Sequence, residues 1–538
     1  MNAEDSRSQN IASTHVVLRV ILFPLLSGLL YWLSSQAFSF PLAVWICLVP
    51  LGLALYGASP FEGLAGGFAY GFFFWIFAVW WIKIQLIGMI GLPAWQAWGW
   101  TMIFAAFHAL PYAVFGYLAG KFRLMESHKG AAWAAVSLVV IRTWYPHVFP
   151  GSEAHNLYAW PLFIQVLDLG GAPLLLFFIY FVNFQIAHAL TAWRTRRSPA
   201  PALVGVALAF LILVGYGGYR LHSLHREMKT KQSGRHISVV FVQPNVPVNQ
   251  GSRDVPPEDR YNDMKTALAY SREAALRHAG AGLVVLPEIP SSYSCREEAS
   301  RDVPPVARKS ANAFLLPCMS MVGNRDEAYY NSVIFVDRHG AVGKEYRKLI
   351  LVPFGEYIPM EGQFPFLRRI FPGVMPFVAG NHGEVVYELE EGIHLIPSLC
   401  YEAIFTDHTR RFVERGGNVL VNMVDDAWFG KSPASVIHMS LALFRSVEYR
   451  IPLVRVTNSG VGIFVEPTGD MVPGSRTPLF QKAASVHTLY IPPGRSPYER
   501  WGDVFLYGFT LLFIVGLAWS CFRQRGGTAE GSRSSLRR

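Results

Sequence analysis

Charge is scarce in this chain. Lys, Arg, Asp and Glu make up 16% of 538 residues against 52% hydrophobic ones, a balance too apolar for a wholly soluble protein. Cysteine is also scarce, and odd in number at five, which excludes the paired framework of a small secreted domain and leaves at least one thiol free. Cys47 and Cys521 lie in apolar runs, while Cys295, Cys318 and Cys400 fall in a polar segment. A bridge between Cys295 and Cys318 stays open for an oxidising compartment. No glycine-rich phosphate loop follows a strand, which argues against ATP use. No small-residue cleavage pattern follows the first apolar run, so the polar Met1 to Asn10 lead is expected to precede a retained anchor. Repeats are absent, and the Gly, Ser and Arg tail after Arg523 reads as disordered. The net charge of +10 comes from Lys and Arg clustered beside apolar runs, not from a basic helix face. It is read as a membrane orientation signal, and nucleic-acid binding is rejected.

What the chain does have is long apolar runs. A helix needs about 20 apolar residues to cross a bilayer, and eight stretches approach that: Val16 to Ser34, Ser39 to Tyr56, Leu64 to Ile82, Trp100 to Gly120, Ala131 to Val148, Asp168 to Leu190, Ala202 to Tyr219 and Asp503 to Phe522. The loops with Lys121, Arg123 and Lys129, and with Arg194, Arg196 and Arg197, fall on one side with the basic tail, the side the positive-inside rule assigns to the cytoplasm. Parity then puts the long polar segment on the opposite, extracytoplasmic face. Lys83 and Asp168 lie near span ends, where snorkelling is the expected account. Residues 1–219 are expected to form an N-terminal membrane region of about seven helices, 220–500 an extracytoplasmic domain, and 501–538 a last span with a cytoplasmic tail.

Within the polar segment, short β-branched runs alternate with helical pieces. His236 to Val242, Gly282 to Leu286, Tyr330 to Val336, Ile393 to Leu399, Asn418 to Asn422 and Pro452 to Val456 read as buried strands. Pro257 to Ala279 and Ser435 to Tyr449 read as helices, and Asp337 to Gly340 and Glu466 to Gly469 as hairpin turns. An α/β layered domain follows.

Three strand ends carry chemistry. Glu288 follows Val-Val-Leu-Pro, Lys348 precedes Leu-Ile-Leu-Val-Pro-Phe-Gly-Glu, and Cys400 closes the run from His394 to Leu399. They supply a base, a cation and a nucleophile from three separate places. A lone buried cysteine is more often an inert small hydrophobe, and a Glu288–Lys348 ion pair alone would be structural, but that pairing leaves the thiol unexplained. His222 and His225 lack a third ligand, Asp425 and Asp426 are read as closing a strand, and no metal is expected.

With these pieces stand Gln243-Pro-Asn-Val-Pro247, Tyr330-Asn-Ser332, Leu351-Val-Pro-Phe-Gly-Glu356, Cys400-Tyr-Glu402, Asp426-Ala-Trp-Phe-Gly430 and Thr457-Asn-Ser-Gly460. Together they resemble the nitrilase, or carbon-nitrogen hydrolase, superfamily with its Glu-Lys-Cys triad, and the chain along its whole length looks like the apolipoprotein N-acyltransferases. The resemblance implies an αββα sandwich with Cys400 as nucleophile, Glu288 as general base and Lys348 as the oxyanion-stabilising cation. Glu356, Tyr401 and Glu402 are implied as supporting residues. It further implies a phospholipid acyl donor, a diacylglyceryl apolipoprotein acceptor, no cofactor, and a monomer in a bacterial inner membrane with its catalytic domain in the periplasm. The alternative is a membrane-tethered amidase using the same triad with water. The chain departs from the family pattern in Leu286 before Pro-Glu where the family has Trp, in Asp425 where it has Asn, and in lacking a tryptophan across Asn249 to Arg253. An exposed acid is expected at Asp425.

Overall fold

The computed structural model describes residues 16–35, 40–230, 234–246, 257–288, 293–321, 329–381, 383, 385–390 and 392–535. The Met1 to Asn10 lead, the Asn249 to Arg253 stretch and the last residues of the basic tail lie outside them.

Helices stand at all eight expected apolar stretches. They include α1 (Phe23–Ser34), α2 (Pro60–Val79), α3 (Ala94–Lys121), α4 (His128–Trp144), α5 (Leu167–Arg194) and α6 (Ala200–Thr230). Among the described residues, five helices are long and apolar enough to cross a membrane: α2, α3, α5, α6 and the Val504–Phe522 part of the final helix. Leu18–Ser34 and Pro41–Leu55 are apolar but shorter. At about 1.5 Å per residue, the latter falls short of a hydrocarbon core of about 30 Å. The 17 residues of α4 carry Arg142, which is buried and donates to Tyr112 Oη at 3.0 Å and to the Gly151 carbonyl. Glycines let α2 and α3 pack closely: a Cβ on Gly63, Gly67 or Gly116 would come within about 2.2 Å of the opposing backbone.

The polar segment folds as two sheets between helices. One sheet runs β11-β1-β2-β3-β4-β5, built from β1 (Arg235–Gln243), β2 (Leu283–Val285), β3 (Ala313–Met321), β4 (Tyr329–Val336), β5 (Tyr346–Arg347) and β11 (Ala483–Ile491). The other runs β10-β9-β8-β7-β6, built from β6 (Tyr387–Glu390), β7 (Ile393–Leu399), β8 (Val419–Val424), β9 (Leu453–Thr457) and β10 (Ile463–Val465). Parallel pairs β1/β2, β2/β3, β7/β8 and β8/β9 form the centres, with antiparallel strands at the edges. Period-two alternation decides the layers. Val239 and Phe241 face the second sheet, with Phe241 4.6 Å from Phe464, whereas Val240 and Val242 face α7 (Pro257–Arg277) and α8 (Ser300–Ser310). Helices α9 (Thr406–Glu414) and α10 (Ala434–Tyr449) belong to the second sheet's side of the sandwich. The sandwich that the resemblance implied is therefore present.

All six expected strands form, and β3, β5, β6, β10 and β11 are additional. β3 escapes the sequence pattern because Pro317 sits within it, opposite Val333, and proline argues against a strand interior. The expected disordered tail is corrected: the last helix, α11 (Val504–Ser535), continues unbroken through it, meeting no proline. Snorkelling at Asp168 is corrected as well. Its side chain has no exposed surface; it accepts from Arg450 Nη2 at 2.7 Å, Arg220 Nε at 2.8 Å and Tyr216 Oη at 2.6 Å. Arg450, in the left-handed cap of α10, also donates to Gln165 Oε1 at 2.9 Å. This cluster fastens the sandwich to α5 and α6. Lys83 instead lies 4.0 Å over the Trp98 ring.

Candidate active site

β7 delivers Cys400 to the mouth of the sandwich and stops there. Cys400 has φ of 48°, a left-handed conformation that costs a non-glycine residue about 1–2 kcal/mol, and it opens a single 3₁₀ turn, Cys400–Ile404. Glu402 supplies the clamp that holds this strained elbow. Fully buried, it accepts from Leu399 N at 2.8 Å, Leu349 N at 2.6 Å, Ile350 N at 3.2 Å and Tyr346 Oη at 2.7 Å. The first bond closes the cysteine turn, and the next two pin the chain just after Lys348 to it. One carboxylate thus sets the register between the Cys400 turn and the segment after Lys348.

Glu288, Lys348 and Cys400 lie close together. Lys348 Nζ lies 2.7 Å from Glu356 Oε1 and 3.7 Å from Glu288 Oε1, and the Cys400 thiol is near enough to Glu288 and Lys348 to feel the charge of both. Asn331 donates its Nδ2 to Glu288 Oε1 at 2.5 Å and to Glu356 Oε1 at 3.3 Å, bridging the two acids. Glu356 Oε2 accepts from Val352 N at 2.8 Å. The Lys348 side chain is 1% exposed and that of Glu288 15%, so the base faces the opening while the cation sits beneath it.

Electrostatics assigns the resting protonation. Burial and the neighbouring Glu288 push the Cys400 thiol well above its ordinary range, so it rests as a thiol. Burial also raises Glu288, with Lys348 opposing. The Lys348 ammonium is held charged by Glu288 and Glu356 against the effect of burial. A protonated thiol beside a carboxylate is arranged to pass its proton to that carboxylate, not to rest as a preformed thiolate.

Tyr401 reaches away from the chemistry, donating its hydroxyl to the Val148 carbonyl and packing 4.8 Å from Phe405. It joins the nucleophile turn to the loop after α4. The exposed acid expected at Asp425 is corrected: Asp425 is 2% exposed and burial raises its pKa well above the ordinary value. Its Oδ1 accepts from Ala427 N at 3.0 Å and Asn458 Nδ2 at 3.3 Å. Asp425 and Asp426 do close β8, and His225 lies 2.7 Å from Asp470.

Sequence reasoning assigned no role to Asn331, Asn422, His438 or Arg455. Asn422 and Arg455 had a legible signal, being polar residues inside runs otherwise apolar enough to be read as fully buried strands. His438 had none, since only the fold brings α10 to Cys400.

Comparison with known proteins agrees with this layout. The carbon-nitrogen hydrolase family model matches residues 242–489, and the model of the apolipoprotein N-acyltransferase N-terminal domain matches residues 27–185. An apolipoprotein N-acyltransferase of Geobacter metallireducens is 30% identical over 91% of this chain and 93% of its own. The chain belongs to the apolipoprotein N-acyltransferase family. Another member, from Methylococcus capsulatus, is 27% identical over 96% of this chain and 99% of its own. Among solved structures, an amidase from Nesterenkonia sp. is 19% identical, covering 51% of this chain and 96% of its own, with a TM-score of 0.35. Membership in this family and five apolar helices of spanning length make the chain an integral bacterial membrane protein.

Proposed function

We propose that this chain moves a fatty acyl group from a phospholipid to the α-amine of the S-diacylglyceryl-cysteine that begins an apolipoprotein. The observation that carries the reading is the meeting of three groups from separate strand ends: the Lys348 ammonium lies 3.7 Å from the Glu288 carboxylate, and both charges act on the Cys400 thiol. In the first half, Cys400 Sγ attacks the ester carbonyl and its proton passes to Glu288. Lys348 and the Tyr401 N–H hold the oxyanion, and the lysophospholipid leaves with the proton. In the second half, the amine attacks the thioester, Glu288 takes the amine's proton, and the thiol is restored as the amide forms. No cofactor enters the balance.

Eight membrane segments, a catalytic domain over about 220–500, and a periplasmic face of the inner membrane complete the proposal. Two observations support the sidedness. Asp168 at the start of α5 touches the catalytic domain, while Arg194 ends the same helix, about 40 Å away at 1.5 Å per residue. The basic loops so lie at the far end, as positive-inside orientation requires. Cys295 and Cys318 are joined as a disulfide, the chemistry of an oxidising compartment.

The test is direct. Purified chain incubated with phospholipid alone acquires one acyl mass that hydroxylamine removes and that Cys400→Ala lacks. A hydroxylamine-resistant adduct, or one retained by the variant, refutes the thioester scheme.

A further inference from the structure

Around the Cys400 carbonyl lies a buried polar network with no role in the proton transfers described. The Cys400 carbonyl accepts from Asn422 Nδ2 at 3.2 Å, and His438 Nε2 lies 3.2 Å from the same oxygen. His438 Nδ1 lies 3.0 Å from Asp426 Oδ1. Asp426 Oδ2 accepts from Arg455 Nη2 at 2.9 Å and Ser435 Oγ at 2.6 Å, and Arg455 Nη1 donates to Asn422 Oδ1 at 2.5 Å. Arg455 and Asn422 have no exposed surface, and His438 has 4%. Arg455 thereby fixes which way the Asn422 amide points, and the Asp426 carboxylate holds the His438 ring in place.

A trans peptide unit is planar, with its C=O and N–H pointing in opposite directions. Donors that grip the Cys400 oxygen therefore also fix the Tyr401 N–H, which points the opposite way. From this we infer that His438, with Asn422 as its partner, is a positioning residue that orients the Tyr401 N–H for the oxyanion of thioester formation. Asp426 and Arg455 serve as its support. Burial and the Arg455 charge lower the His438 pKa, with Asp426 opposing, and the ring donates to the Cys400 oxygen when Nε2 carries its proton. The left-handed φ of Cys400 gives the clamp its purpose, because an elbow in a sparsely populated conformation relaxes unless it is held from more than one side. This inference rests on Cys400 being the nucleophile that forms the thioester.

Two reactions of the same sulfur separate the role from general support of the fold. Acylation by p-nitrophenyl butyrate passes through an oxyanion, whereas alkylation by iodoacetamide does not. In the full chain in detergent micelles, His438→Phe is expected to slow single-turnover nitrophenolate release by about thirtyfold, within the range for a weakened oxyanion donor. KM for the ester and the rate of Cys400 alkylation should each stay within about twofold. His438→Gln, which returns a donor near the Nε2 position, should recover most of the lost rate. Unchanged acylation in His438→Phe overturns the inference. So does an equal fall in acylation and alkylation, since the ring would then be supporting the thiol itself. A wild-type chain that accepts the nitrophenyl acyl group but never a phospholipid acyl group would sink the proposed function and leave this inference standing.

Discussion

Helix α10 has a buried ion cluster at each end, and the two are composed in opposite ways. Near its N-terminal end, two carboxylates, Glu288 and Glu356, share one ammonium, Lys348, beside the Cys400 thiol. At its C-terminal cap, two guanidiniums, Arg220 and Arg450, share one carboxylate, Asp168. The excess acid at the first leaves a carboxyl incompletely compensated, raised by burial and free to take a proton. At the second, both oxygens of Asp168 are occupied by strong donors, so the cluster has nothing left to exchange. Burial alone does not separate the two clusters; the surplus of one charge, next to a thiol, does.

If that contrast holds, variants at the two ends should fail differently. Lys348→Met removes the ammonium that Glu288 and Glu356 share and is expected to lower the rate of thioester formation by about a thousandfold, read by single-turnover acylation. Glu288→Gln should cost a few hundredfold, roughly the contribution of a general base. It should also remove the acid limb of the pH profile. Because burial raises Glu288, the wild-type rate should climb with pH over a range above the ordinary glutamate value. At the other end, Arg450→Met should destabilise the chain by about 3 kcal/mol, leaving a buried carboxylate short of one partner. Acylation per folded molecule should stay within about twofold, compared by thermal unfolding in detergent. Equal losses of turnover in Lys348→Met and Arg450→Met would erase the distinction.

Asp425→Asn should have the smallest effect, a gain of about 1 kcal/mol at neutral pH, because Asp425 Oδ2 is a buried acceptor without a partner among the described residues. The sign follows from its raised pKa. The folded chain holds the Asp425 proton more tightly than the unfolded chain, so wild-type stability falls as pH rises above the ordinary aspartate value, and the variant lacks that slope. Unfolding midpoints at two pH values check it.

Much of the site was legible because strand ends are local. A β-branched run followed by Pro-Glu, Lys or Cys announces a side chain at the mouth of a sheet, and Glu288, Lys348 and Cys400 meet there. The supporting roles were legible only in outline. Glu402 and Tyr401 looked alike as neighbours of the nucleophile, yet one closes the elbow from inside while the other binds Val148 in the membrane region. Asp168 was misjudged because position along a span says nothing about what packs on its end, and Arg450 is 282 residues away in the chain.

By itself the sequence determined which stretches are apolar, which strands are buried and which side chains carry chemistry, since periodicity and strand-end chemistry are local properties of the chain. Only the tertiary structure decided the protonation of those groups and the network around the Cys400 peptide. Both depend on burial and on contacts between residues distant in sequence, which no local pattern encodes.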